Sequence, residues 1–350
     1  MRLIPLRLVL FLGIGGCGGW IFQLLGVPLP WMIGPLVVTA ALCLTGLLPT
    51  VVPNRIRPFG QVVVASQIGL TFSPATLDKL ITLAPVIAAT AVMTTACILG
   101  VSLALARWNR MGFAQSFLAA VPTSPVEAAA MAVARGVDPV PVIFSQTLRL
   151  SAVVLVLPLA LFALDGWPAG RVMPGATAAF DPGNMLLLGS CGLAAMFVFR
   201  KLRIPNPNFL GPLSVMAALA ASGHGFAPYP APVMAAAQLV LGCWLGSTFR
   251  REVIAGAGRM ALTSAATTLV LIGCCGGAAV ILARITGMDW RLLVLGAAPG
   301  GVTEMALTAK FLHQDATIVT AFHLTRIFMV MPNIPWIVAL IARLDRPPGP

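Results

Sequence analysis

Twelve apolar stretches alternate with short polar ones along this chain. They run near residues 3–25, 28–48, 57–73, 80–105, 112–134 and 139–164, then near 183–199, 206–223, 232–249, 260–283, 292–311 and 316–342. Their length and uniform apolarity predict an all-α polytopic membrane protein with 10–12 membrane segments. Two stretches differ from the others. AVPTSPVEAAA at 120–130 and AAPGGVTEMAL at 297–307 break with proline and small residues, and each places a glutamate just after the break. Lipid cannot satisfy the N–H and C=O groups that such a break frees. It survives only where protein covers it or water fills a cavity, so a broken or re-entrant helix is expected at both places.

The two stretches belong to an internal repeat. Shifted by 177 residues, the chain matches itself without a gap: GPL at 34–36 meets GPL at 211–213, Pro122 meets Pro299, Glu127 meets Glu304 and Arg149 meets Arg326. Between 26–72 and 203–249, 16 of 47 positions are identical. The chain thus divides into a membrane repeat at 1–164, a Gly/Pro-rich linker at 165–182 and a second membrane repeat at 183–350. Charge orients the halves. Arg55/Arg57 of the first half faces a loop whose only polar ionisable group is His224, while Arg200/Lys201/Arg203 faces a neutral loop at 25–30. The positive-inside rule therefore favours an inverted pair, which requires an odd number of crossings per half. Treating each broken stretch as a hairpin gives five crossings per half and puts Arg2/Arg7 and Arg343/Arg346 on the cytoplasmic side; Arg284 and Arg291 then lie outside.

Composition agrees with lipid as the main solvent: 59% of the 350 residues are hydrophobic, 9% are charged, and the mean hydropathy is +0.96. A net charge of +12 would point to nucleic acid in a soluble protein. Here the basic residues cluster between apolar runs, as in Arg107/Arg110 and Arg250/Arg251, so direct nucleic-acid binding is not expected. Seven scattered cysteines form no CxxC pair and imply neither a metal site nor a disulfide framework. The N-terminus imitates a signal peptide. However, no charge follows Arg7 until Arg55, which reads as a retained first helix.

Candidate chemistry gathers at the breaks. Ser124-Pro125-Val126-Glu127 fits a helix start with Ser124 as N-cap and Glu127 closing a capping box, and Gly301 through Glu304 is a weaker version. Capping alone would explain either glutamate; the repetition favours an ion-binding role, because ionisable groups at membrane depth are expensive. Pro122, Ser124, Pro299, Gly300, Gly301 and Thr303 would frame the site beside the free N–H groups of the outgoing half-helices. Arg149 and Arg326 each lie 11 residues past an aspartate that starts a helix. At ~1.5 Å per residue that places them near the middle of a ~30 Å core. There each must meet a carboxylate, a substrate anion or helix C-terminal carbonyls. Gln146 and His323, one turn earlier, are equivalent by the same shift, and His323 has a depth suited to proton titration. Gln61 and Gln238 are a repeated pair suited to bonds between helices.

With these residues in view, the chain resembles the AbrB family of bacterial inner-membrane proteins. PLPWMIGPL at 28–36, NPNFLGPL at 206–213 and APGGVTEMALTA at 298–309 carry the resemblance. The first-half PTSPVE departs from the glycine-rich version at 299–304. The resemblance implies a duplicated multi-pass protein of the inner membrane, related to inverted-repeat transporters whose crossing broken helices hold substrate. It does not imply kinship with the soluble DNA-binding regulators that share the name. Three functions are weighed. The leading expectation is a secondary transporter for a small anion or ion, without cofactor or enzymatic activity, set in the lipid bilayer and open to homo-oligomer formation. No GxxxxGK[ST] loop is present, so an ion gradient would supply the energy. The second is a membrane sensor acting indirectly on gene expression. Third is a metal-dependent monooxygenase, a label some members carry, which three dispersed histidines do not support.

Overall fold

The computed structural model describes residues 3–109, 112–123, 125–165, 181–204, 206–223, 226–249, 251–334 and 336–339. Ser124, His224, most of the linker (166–180), Arg2, Arg110, Arg250, Arg343 and Arg346 lie outside these residues. The described elements are helical, with no strand among them. In the first half they are α1 Leu3–Leu24, α2 Pro30–Thr45, α3 Arg57–Gly69, α4 Pro74–Asn109, α5 Phe113–Ala120, α6 Pro125–Ala134 and α7 Pro139–Asp165. The second half has α8 Pro182–Lys201, α9 Pro207–Ala221, α10 Ala231–Gly246, α11 Arg251–Thr286, α12 Trp290–Ala297, α13 Val302–Phe311 and α14 Ala316–Val330. The bounds of α4, α5 and α6 fall 177 residues from those of α11, α12 and α13.

Five helices are long and apolar enough to cross a membrane: Leu6–Leu24, Pro74–Trp108, Pro139–Leu164, Pro182–Lys201 and Met260–Thr286. The last begins beyond Gly258, whose φ of 43° and ψ of −116° interrupt α11 in a conformation that glycine tolerates. Helices α2, α3, α9 and α10 have 13–16 residues, short of the ~20 that cross hydrocarbon. Both α2 and α9 start after a residue in the left-handed region, Leu29 (φ 47°) and Asn206 (φ 50°), between prolines that fix the turn. The apolar stretch expected at 316–342 is not one helix. Helix α14 stops at Val330 and gives way to a 3-10 turn, Met331–Asn333, because Pro332 has no N–H to continue it; the first half carries Leu155 there.

The chain forms two compact units, and each takes elements from both halves. One comprises residues 1–82, 158–252 and 306–317, and is built on α1–α3 and α8–α10. Within it α1 packs on α2 and α8 on α9, α2 packs on α10 and α9 on α3, and α3 meets α10. Small residues set these approaches. A Cβ on Gly69 would lie 2.8 Å from the Leu213 carbonyl oxygen, and one on Gly246 would lie 2.7 Å from the Leu36 carbonyl oxygen. The two contacts are equivalent under the 177-residue shift. Asn208 Nδ2 donates to Gln61 Oε1 at 3.3 Å and ties α9 to α3, whereas Gln238 Oε1 is buried without a hydrogen-bond donor among the described residues.

The other unit comprises 83–157, 253–305 and 318–350 and holds both broken helices. Around the first break its core gathers Ile98, Phe117, Leu118, Val121, Ala128, Leu271 and Ile334, all buried.

The glycine contacts yield a stability prediction. Gly69→Leu and Gly246→Leu each force a backbone against a side chain, and each is expected to destabilise the fold by about 1–3 kcal/mol. Thermal unfolding in detergent reads this as a lowered midpoint, against Gly100→Leu, where the position is open.

Candidate functional site

Proline makes both breaks. Val121 (φ −65°, ψ 133°) and Ala298 (φ −56°, ψ 136°) are extended because the ring that follows each, Pro122 or Pro299, clashes with a helical predecessor. Helices α5 and α12 therefore end with carbonyls that no downstream N–H can reach. After three or four residues α6 and α13 begin, with Glu127 and Glu304 in their first turns. Ser124, the proposed N-cap of α6, is not among the described residues, so the capping box there is not described. At the second break the carboxylate of Glu304 lies against Gly301, where a Cβ would overlap Oε2. The glycine makes room for the acid to fold back over the helix start, as a capping group does. Gly300 is equally confined: a Cβ would sit 2.8 Å from Val153 Cγ1 of α7. Pro299 and Thr303 are buried, while Pro122, Glu127, Gly301 and Glu304 are half-buried.

The arginines close the broken ends. Arg149 Nη1 donates to the carbonyl oxygens of Ala120 at 2.6 Å and Val121 at 3.1 Å, and Nη2 donates to Gln146 Oε1 at 2.6 Å. Gln146 Nε2 in turn donates to Leu118 O at 2.6 Å and Val121 O at 2.7 Å. The second half repeats the pattern. Arg326 Nη1 donates to Ala298 O at 2.6 Å, and Nη2 reaches Gly300 O at 3.2 Å and His323 Nδ1 at 2.9 Å. His323 Nε2 lies 2.9 Å from Leu295 O. Leu118 and Val121 correspond to Leu295 and Ala298 under the 177-residue shift, so each arginine and its helper meet equivalent backbone atoms. All four side chains are at most 2% exposed.

Of the three partners open to a midplane arginine, both guanidiniums have helix-end carbonyls. The electrostatics favour this choice, since a helix C-terminus carries about half a negative charge and welcomes a cation. The bonds also fix the state of His323. Nδ1 accepts from Arg326, so the ring is neutral with its proton on Nε2, donated to Leu295. Gln146, which cannot titrate, makes the same two bonds in the first half. His323 is thus engaged as a hydrogen-bond relay, and the proton-titrating depth read from the sequence has no free ring nitrogen to use.

Sequence reasoning found Arg149, Arg326, Gln146 and His323 by their spacing. It passed over the carbonyls that hold them, which no residue type marks. It also passed over the Ser145–Ser264 hydroxyl bond of 2.7 Å, whose signal was a serine standing opposite Phe322 in the repeat. Among the described residues no three His, Cys, Asp or Glu side chains stand close enough to share a metal ion.

A family model for AbrB, described as "Transition state regulatory protein AbrB", matches residues 48–342. The chain belongs to the AbrB family. With five helices of membrane-crossing length and apolarity, this AbrB-family chain is an integral membrane protein. It is similar to "Uncharacterized protein YhjN" of Bacillus subtilis (strain 168), at 26% identity over 349 residues, covering 93% of this chain and 90% of that protein. It is also similar to "Putative regulator AbrB" of Escherichia coli (strain K12), at 25% identity over 159 residues. That match covers 45% of this chain and 46% of the relative.

His323→Gln is expected to fold as the wild type does, since glutamine offers the same acceptor and donor. His323→Ala leaves Leu295 O and Arg326 Nη2 short of partners and is expected to cost about 1–3 kcal/mol. Unfolding midpoints of the two variants in detergent check both outcomes.

Proposed function

We propose that this AbrB-family protein is a secondary carrier of the bacterial inner membrane, moving a small organic anion together with protons. One observation carries the reading. Each break places a carboxylate in the first turn of the outgoing half-helix and a guanidinium on the carbonyls of the incoming one. Formally, two negative charges stand against two positive ones. Protonating one carboxylate leaves a positive charge in excess, and an anion cancels it. Loading both together keeps the charge at membrane depth constant. Loading either alone leaves a net charge there, at about 2.5–3.5 kcal/mol or more. Coupling follows from that penalty.

In this scheme Glu127 and Glu304 are the proton sites, while Arg149 and Arg326 set the positive field that selects an anion. The helpers Gln146 and His323 keep the guanidiniums on the helix ends. Half-helices that begin at a break, in equivalent places of two repeats, are the usual framework of a carrier's midplane site. A second reading has support from the family's description and from the name of the Escherichia coli relative, both of which speak of regulation. A sensor built on this scaffold binds the same anion and releases it on the same side.

Purified protein in liposomes separates the two. A carrier accumulates a labelled small carboxylate when the outside is made acidic, and it also exchanges label for unlabelled substrate without a gradient. In Glu304→Gln, which mimics a permanently protonated site, exchange is expected to persist while acid-driven accumulation falls at least tenfold. Binding without either flux in the wild type would favour the sensor. Accumulation unchanged in both Glu304→Gln and Glu127→Gln would overturn the proton assignment.

A further inference from the structure

The two breaks differ in one respect. At the second, the ring of Phe322 lies over Gly296, so close that a Cβ at 296 would sit 2.7 Å from it. The 177-residue shift places Ser145 and Ala119 at these two positions in the first half. The serine does not fill the space that the phenylalanine ring does. A cavity of about 10 Å³ remains there, lined by Ala119, Ser145 and Arg149 together with Ser264, Thr267 and Thr268 of α11. That is room for one water-sized atom. The α11 hydroxyls also lack full counterparts, since Ile87, Thr90 and Ala91 stand in their places in α4.

The hydrogen bonds define what the cavity offers. Thr267 and Thr268 donate their hydroxyl protons to Thr263 O at 2.6 Å and Ser264 O at 2.8 Å. Ser145 and Ser264 share one bond of 2.7 Å, in which one hydroxyl donates and the other keeps its proton to offer. Arg149 is 2% exposed, and its Nε–H has no acceptor among the described residues. Two donors, one of them cationic, therefore face a space for one acceptor atom. Arg149 is bonded to neutral dipoles, and Arg326, within electrostatic range, has the same sign. Water would satisfy the donors and leave that repulsion standing. An anion satisfies the donors and relieves it.

We propose that this cavity is an anion subsite, present at the first break only, that seats one acceptor atom against Arg149 Nε–H and the free serine hydroxyl. Its ligand is a small monovalent anion, either a halide or the carboxylate end of a small organic acid. Phosphate and sulfate exceed both the space and the donor count. The subsite deepens the carrier reading by giving the two breaks different duties, with the first binding the anion. Binding itself does not depend on transport.

The test is the unfolding midpoint of the purified full-length protein at constant ionic strength, with a bulky sulfonate replaced stepwise by chloride, bromide, formate, acetate, sulfate or phosphate. A saturable rise is expected with the small monovalent anions and not with sulfate or phosphate. A response to halides alone assigns an inorganic ion. A response to formate or acetate that chloride competes away assigns the carboxylate end. Ala119→Gly combined with Ser145→Phe copies the plug of the second half, and Ser264→Ala removes a hydroxyl while keeping the cavity. Both are expected to weaken the response at least tenfold. Equal responses in the wild type and in Ser264→Ala, whether or not the double variant folds, overturn the proposal, as does a rise common to all salts. Saturable binding without liposome flux would leave the subsite standing and remove the carrier. Flux that the double variant leaves unchanged would do the reverse.

Discussion

A helix broken inside a membrane and an arginine buried inside a membrane are each costly alone, and here each removes the other's cost. The break at Pro122 frees the carbonyls of Ala120 and Val121, and Arg149 takes both. The break at Pro299 frees those of Ala298 and Gly300, and Arg326 takes both. A hydrogen bond from a charged donor is worth about 1.5–3 kcal/mol, roughly twice a neutral one. The half-helix dipoles add to it, since their negative ends point at the guanidiniums. Helices α5 and α12 can thus stop where they do, and α6 and α13 can begin with a carboxylate.

Much of this was legible in the sequence. Prolines at 122 and 299 with small neighbours mark a break, because a residue before proline avoids the helical region whatever surrounds it. The depth of the arginines followed from counting along a straight helix. The partners were not legible, because a carbonyl belongs to every residue and only tertiary packing selects which one is met. Nor was the make-up of the two compact units, in which α1–α3 join α8–α10 and the broken helices fall together in the other unit. A repeat in sequence tells which elements correspond and leaves open which ones touch. The end of α14 shows the limit of the repeat itself, since Pro332 has no counterpart at Leu155.

Correspondence between halves also makes differences readable. Gln146 and His323 differ in chemistry yet make the same bonds, so their difference does not touch the network they serve. Ser145 and Phe322 differ in volume, and that difference changes the space beside an arginine. Substitutions between equivalent positions thus separate what both halves need from what only one of them does.

The spacing of the network along the chain bears on how the protein is made. Each arginine lies 28 or 29 residues after the carbonyls it holds. During synthesis the broken end is therefore delivered first, and the charged helix emerges with its acceptors already beside the insertion path. An arginine alone at the centre of a nascent helix opposes its partition into lipid by about 2.5–3.5 kcal/mol. With the acceptors waiting, α7 and α14 enter the bilayer as the second partner of a bond, and the two halves can be assembled one after the other by the same route.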